Sequence, residues 1–412
     1  MSVSQGTIKK QSDAKLSVSK EKNNTGGVLL TTALMAGYSM IYMDKNMIST
    51  AIIPIAEQFH LTTSQTGLIM SLFFLGYSLM QIPGGWLADR IGYKKVLMLS
   101  LSLITIFSFA FGLAGSLLMF ILIRFLAGIG HAGYPPSCSK GIAENFPKTR
   151  RTFIQSLILS TSGIGGIFAF VIGARLIDLN WHYAYYALGT FFAIALLMVA
   201  LLVPNSQPTA KTKIEKKQVS FKSVISNRNV IILFVAMLLA NVAFYGNMSW
   251  LPTFLKTKFS LSISTVGIIL AVNAIGGTLA SIFAGVLLTK YFAGKEKLLL
   301  MVCSVLSSLL FLGLVLSNSL ALSIAFLYVL TFLLTTIFVG IFSWPHKILP
   351  ENVIGSSIGI VNTGGTLGGF IAPMAFGALI SMAGGSFSIV FITLAIAVVI
   401  CGLVLLTVKT EK

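Results

Sequence analysis

Long apolar runs, separated by short polar stretches, recur along the whole chain. A helix needs about 20 mostly apolar residues to cross the hydrocarbon core of a bilayer. Stretches of that kind fall at about 28–54, 65–87, 96–115, 117–141, 153–177 and 183–204. They resume at about 229–256, 264–290, 298–316, 319–345, 354–381 and 385–408. The pattern predicts an all-α membrane protein with twelve transmembrane helices. Residues 28–204 form one six-helix bundle and 229–408 a second, with polar tails at 1–27 and 409–412. The one long polar break, 205–228, is the linker between the bundles.

Composition strengthens this picture. Of 412 residues 56% are hydrophobic and 10% charged, and the mean hydropathy is +0.91. Soluble domains carry about 25% charge and disordered chains are poor in apolar residues, so both classes are excluded. The net charge of +18 would point to nucleic acid in a soluble protein, but here its placement decides. Of the 29 lysines and arginines, Lys45 and Arg124 fall within spans. Arg175, Lys256 and Lys258 lie on one side, and all the rest gather in the tails, the linker and the alternate loops. By the positive-inside rule both termini and the linker are cytoplasmic. The charge is then topology, with no nucleic-acid partner. The polar start of the chain runs straight into a long span, unlike a cleaved signal peptide. Cys138, Cys303 and Cys401 are too scattered for a metal or disulfide motif.

The halves show faint self-similarity. A shift of 203 residues sets Pro147 on Pro350, Gly165 and Gly166 on Gly368 and Gly369, and Ala169 on Ala372. A shift of 200 sets Gly85 on Gly285, Leu87 on Leu287 and Arg90 on Lys290. A duplicated bundle related by an axis along the membrane normal places a cavity between the halves, near the midplane.

Between spans 2 and 3 runs Gln81-Ile-Pro-Gly-Gly-Trp-Leu-Ala-Asp-Arg-Ile-Gly-Tyr-Lys-Lys95. Its glycines permit close helix approach, and Asp89 with Arg90, Lys94 and Lys95 reads as a compact charged latch. This loop resembles the signature of the major facilitator superfamily, and the resemblance covers all twelve spans. It implies that fold, with Gly85, Asp89, Arg90 and Gly92 gating alternating access without touching substrate.

Ionisable groups at bilayer depth are costly and are functional candidates by default. They are Asp44 and Lys45 in span 1 and Arg124 and His131 in span 4. At about 1.5 Å per residue, Asp44 lies roughly 15 Å and Arg124 roughly 12 Å from the outer ends of their helices. Both are therefore near the middle of a core about 30 Å thick. Arg124 and His131, two turns apart, share a helix face. Asp44 and Lys45 project about 100° apart, so one can pair with Arg124 while the other faces the cavity. Asp44 and Arg124 form either a neutral packing pair or a proton site, since burial favours the neutral acid and nearby cations the carboxylate. With Lys45 the trio carries +1, which suits an anionic ligand.

Tyr42-Met-Asp-Lys-Asn46 with Ala51 and Pro54 resembles the first-helix signature of the anion:cation symporter branch of that superfamily. Tyr77, the Gln81-Ile-Pro-Gly-Gly run, Arg124 with Phe125 and Gly128, Trp250-Leu-Pro-Thr and Asn362 match the same branch. The resemblance implies a protonated first-helix Asp, cations that hold a carboxylate or phosphate, and tyrosines and amides that bind hydroxyls. Two positions depart from it. Lys45 replaces a bidentate arginine by a point charge. His131 stands where the branch carries an acid, and is either a second proton site titrating nearer neutrality or a plain hydrogen-bonding residue. Asn241, Tyr245 and Asn247 in span 7 are either substrate contacts or interhelix glue.

The reading that follows is a proton-coupled importer of a small organic anion, such as a sugar acid or other carboxylate, acting as a monomer in the cell membrane. The proton is the coupling ion, and neither a metal nor an organic cofactor is called for. A proton-driven efflux antiporter on the same fold is the alternative. Span 5, Ser160-Thr-Ser-Gly-Ile-Gly-Gly166, lacks the proline that follows the glycines in such exporters. No HExxH, GxSxG or paired membrane acids suggest an enzyme.

Overall fold

The computed structural model describes residues 3–205, 226–348 and 354–409. Of the expected linker, positions 206–225 lie outside the described residues, as do 1–2 and 410–412 of the expected tails. Twelve helices are long and apolar enough to span a membrane. In the first half they are α1 Gly26–Gln58, α2 Thr63–Ile91, α3 Tyr93–Gly112, α4 Leu117–Asn145, α5 Thr149–Leu179 and α6 Trp181–Leu202. The second half holds α7 Arg228–Phe259, α8 Ile263–Tyr291, α9 Glu296–Leu316, α10 Leu320–Ser343, α11 Ser357–Met382 and α12 Ser388–Leu406. No strand occurs among the described residues. α1 is the membrane part of a helix that runs from Val3 to Gln58.

Polar residues just outside the apolar runs start many of these helices. Thr62 and Gln65 form a reciprocal capping box on α2. Ser116, Asn180, Asn227, Ser262 and Ser319 accept first-turn amides on α4, α6, α7, α8 and α10. α4 breaks at Gly133 because Pro135 and Pro136 follow and supply no amide donors. π-turns interrupt α5 at Phe168–Gly173 and end α8 at Leu287–Tyr291.

The faint repeat is carried into three dimensions. Phe59, Leu61, Thr62 and Gly67 recur 200 positions on as Phe259, Leu261, Ser262 and Gly267. His60 and Ser260, also 200 apart, both take φ 52° in the turn that closes α1 or α7. Gly67 lies against the Pro373 carbonyl of α11, while Gly267 lies against the Phe170 carbonyl of α5. Each bundle therefore presses the start of one helix onto the end of a helix in the other.

Twelve crossings leave both described ends of the chain on one face, here the terminal face. The cross-bundle bonds found among the described residues lie toward the other face. Thr63 and Ser64 meet Ser381 at 2.7 and 3.1 Å, and Ser71 accepts the Met374 amide at 2.9 Å. Asp178 accepts the Ser264 amide at 2.8 Å, and Lys256 donates to Glu57 at 2.6 Å. Toward the terminal face Gly285 and Gly359 have no neighbouring atom within 4 Å of where a Cβ would stand, and Ile82 is 82% exposed. The two bundles are pinched together at one face and splayed at the other.

Candidate substrate and coupling site

Half-way along α1, successive residues diverge as their 100° offset requires. Asp44 turns to Arg124 and His131 of α4, and Lys45 to Tyr77 of α2. The Arg124 guanidinium donates to Asp44 Oδ1 at 3.1 Å, and His131 Nε2 lies 2.9 Å from Oδ2. Asp44, Arg124 and His131 are all buried. The cost of burying Arg124 and Asp44 is offset only because each finds the other, and the Phe73 ring beneath Arg124, 4.5 Å away, adds a cation–π contact. His131 is wedged edge-on between Phe73 and Phe192, which fixes its ring plane.

Lys45 makes no ion pair among the described residues, although Asp44 lies within electrostatic reach. Its ammonium stands over the Tyr77 ring at 4.5 Å and near Tyr42 at 5.7 Å. Tyr245 of α7 closes this group from the opposite bundle, edge-on to Phe74 at 4.5 Å and within electrostatic reach of the Tyr42 phenol. Lys45, Tyr42 and Tyr245 remain half-buried. A cation ringed by phenols from both bundles, a few ångströms from a buried Asp–Arg–His cluster, can hold an anion and sense a proton.

The other predicted residues fall differently. Asn241 spends its amide on the Met237 carbonyl of its own helix at 2.9 Å and packs against Gly365 and Gly368 of α11, the geometry of helix glue. Asn362 is half-buried in α11. Near the terminal face the expected latch reaches beyond its own loop. Asp89 pairs with Lys140 of α4 at 3.0 Å, a partner outside the loop. α2 stays helical through Ile91, which carries Arg90 round onto the Trp86 ring at 5.1 Å, while Lys94 reaches the Ala200 carbonyl. The tight crossing belongs to Gly84, which touches the Gly133 backbone, whereas Gly85 makes only ordinary contact with Pro136. Gly92, at φ 96°, turns the chain from α2 into α3 as glycine alone does readily.

Two neighbours went unseen in the sequence. The Tyr185 hydroxyl of α6 is buried without a partner among the described residues and within electrostatic reach of Arg124 and Asp44. The Asn273 amide oxygen of α8 is likewise unpartnered. Nothing distinguishes Tyr185 within the aromatic run at the start of α6.

Two bundles of six spanning helices, meeting around buried charge at mid-depth, define a multi-pass membrane transporter. The family model of the Major Facilitator Superfamily matches residues 34–373, and the chain belongs to that superfamily. It is thus a transporter and not an enzyme. A probable sulfoacetate transporter of Cupriavidus necator is 29% identical, over 84% of this chain and 86% of its own. The cis,cis-muconate transport protein of Acinetobacter baylyi is 26% identical, over 88% and 89%. Among solved structures, an inward-facing, occupied bacterial homologue of the human lysosomal transporter Spinster superposes with a TM-score of 0.82. It is 17% identical and covers 92% of this chain and 96% of its own.

Proposed function

We propose that the protein imports a small organic carboxylate or sulfonate across the cell membrane, driven by the proton gradient. The observation that carries the reading is the division of labour along α1: Asp44 clamped between Arg124 and His131, Lys45 making no ion pair among the described residues. Relatives named for sulfoacetate and muconate transport support an anionic substrate. The positive-inside distribution supports a cytoplasmic terminal face, and on that reading the splayed face is the inward opening. Lys45 and Arg124 supply positive charge for the anion, and Tyr42, Tyr77, Tyr245 and Asn362 supply hydrogen bonds. Asp44 with His131 carries the coupling proton. Protonating Asp44 weakens its hold on Arg124, which is then free for substrate, so occupancy and protonation bias the same two-state rocking. The transporter works as a monomer and needs no cofactor.

The test is uptake into proteoliposomes after a thermal-shift screen of the purified protein against sugar acids, dicarboxylates, phosphorylated compounds and cationic dyes. A stabilising carboxylate, accumulated only under an inward proton gradient, is the expected result. Stabilisation by cationic dyes alone would overturn the anion reading, and accumulation indifferent to the gradient would overturn proton coupling.

A further inference from the structure

On the pinched face a cavity of about 340 Å³ lies between the bundles, lined by Glu57 of α1, Thr63 and Thr66 of α2, and Trp250, Thr253 and Lys256 of α7. That volume suits a small ligand. Glu57 is some 20 Å along α1 from Asp44 at 1.5 Å per residue, so the cavity is separate from the buried cluster. Across it runs the Glu57–Lys256 ion pair, whose members are unequally placed: Glu57 is 66% exposed and Lys256 28%. The acid stands in water and the ammonium lies against the cavity wall. No other acid meets Lys256 among the described residues.

This pair is also the only ion pair joining the bundles among the described residues; the other cross-bundle bonds involve hydroxyls or backbone. An exposed pair contributes little on its own. Exchanging one carboxylate for another on the same ammonium conserves the charge contact, while the incoming anion gains the cavity's hydroxyls.

We infer that this vestibule is a second anion site, at which a carboxylate or sulfonate arriving from the pinched face takes Lys256 from Glu57 and so releases α1 from α7. The inference rests on the reading of the protein as an organic-anion transporter. It makes the arriving anion the agent that unlocks the closed face, before it reaches Lys45 and Arg124.

Glu57→Gln and Lys256→Gln remove the same ion pair and so separate a lock from a site. Both are measured in oriented proteoliposomes, with labelled cis,cis-muconate and a labelled sugar acid presented to the pinched face. Glu57→Gln is expected to lower KM, because Lys256 is left unopposed. Lys256→Gln is expected to raise KM about tenfold, the loss of one charge-assisted hydrogen bond, and Lys256→Arg to restore it. The thermal shift given by the same anions should persist in all three, because the Arg124 site is intact, and be smaller in Lys256→Gln, which has lost the vestibule site. If both Gln variants move KM in the same direction, or not at all, the pair is only a lock and the inference falls while the transport reading stands. A wild-type protein that neither binds nor takes up any carboxylate or sulfonate removes the transport reading, and this inference with it.

Discussion

The two bundles are built to one plan and equipped for different work. Ser64 and Ser264 occupy matching places at the starts of α2 and α8, and each meets the end of a helix across the interface. The partner is Ser381 in one case and Asp178, 203 positions earlier, in the other. At the terminal face Lys140 donates to the Ala88 carbonyl and pairs with Asp89. Lys347 donates to the Leu288 carbonyl and pairs with Glu296 in the same way. At mid-depth the correspondence stops. Asp44 and Lys45 have Phe244 and Tyr245 as their counterparts 200 positions on, and α10 carries no Asp, Glu, Lys, Arg or His. The scaffold is duplicated and the buried charge is not. On the proposed function, one bundle holds the anion and the proton, and the other supplies a phenolic and amide surface that closes over them.

The largest effect expected from this asymmetry is at Arg124. Arg124→Ala leaves the Asp44 carboxylate buried beside His131 alone, a loss of about 3–5 kcal/mol for a broken buried pair. It should lower the melting temperature markedly and abolish anion-induced thermal shifts. Unchanged anion affinity in a folded variant would mean that the first bundle does not hold the anion. Asp44→Asn, which keeps shape and removes charge, should lose gradient-driven accumulation and retain counterflow exchange. Full accumulation by this variant would take the proton from Asp44.

Glycine crossings sharpen the comparison at smaller cost. Gly128 of α4 lies against the Phe73 carbonyl and the Tyr77 amide of α2, where a Cβ has no room. Gly277 of α8 faces only the Thr331 methyl at 3.4 Å, an ordinary contact. Gly128→Ala is expected to cost about 1–3 kcal/mol through overpacking, read as a lower melting temperature in detergent. Gly277→Ala should be neutral or, through its better helix propensity, raise stability by up to about 1 kcal/mol. Equal losses would show that the α8–α10 crossing is packed as tightly as the α2–α4 crossing.

Much of this was legible in the chain because the membrane leaves so few options. Apolar length gives the spans, and a charge at bilayer depth must find a partner, so Asp44 and Arg124 could be matched by depth alone. The 100° step along α1 likewise separated Lys45 from Asp44. What stayed hidden depended on side-chain direction and on register between distant helices. Lys140 reads as an ordinary positive-inside lysine until α4 brings it beside Asp89. Gly84 and Gly85 are adjacent in a signature loop, and only the crossing with Gly133 chooses between them. The Glu57–Lys256 pair joins two helix ends that read simply as loop charges. Tyr185 carries a polar atom whose burial beside Arg124 has no local signature.

The smallest effect is expected at the terminal face, where the duplicated lysines make the halves most alike. Asp89 is 76% exposed and its side of the Lys140 pair is wet, whereas Glu296 is 11% exposed beneath Lys347. An exposed pair contributes about 0–1 kcal/mol, and Glu144, the second acid of Lys140, stands 3.8 Å away at the limit of an ion pair, so Lys140→Gln should shift stability little and act through its bond to the Ala88 carbonyl at the end of α2. Lys347→Gln strands a nearly buried carboxylate and should cost more, despite the matching position. Melting temperatures of the two variants and of the double variant check this. The sites lie in different bundles with no shared partner, so the two losses should add. A Lys140→Gln variant as damaged as Lys347→Gln would mean that the latch of the first bundle bears a load that its exposure does not reveal.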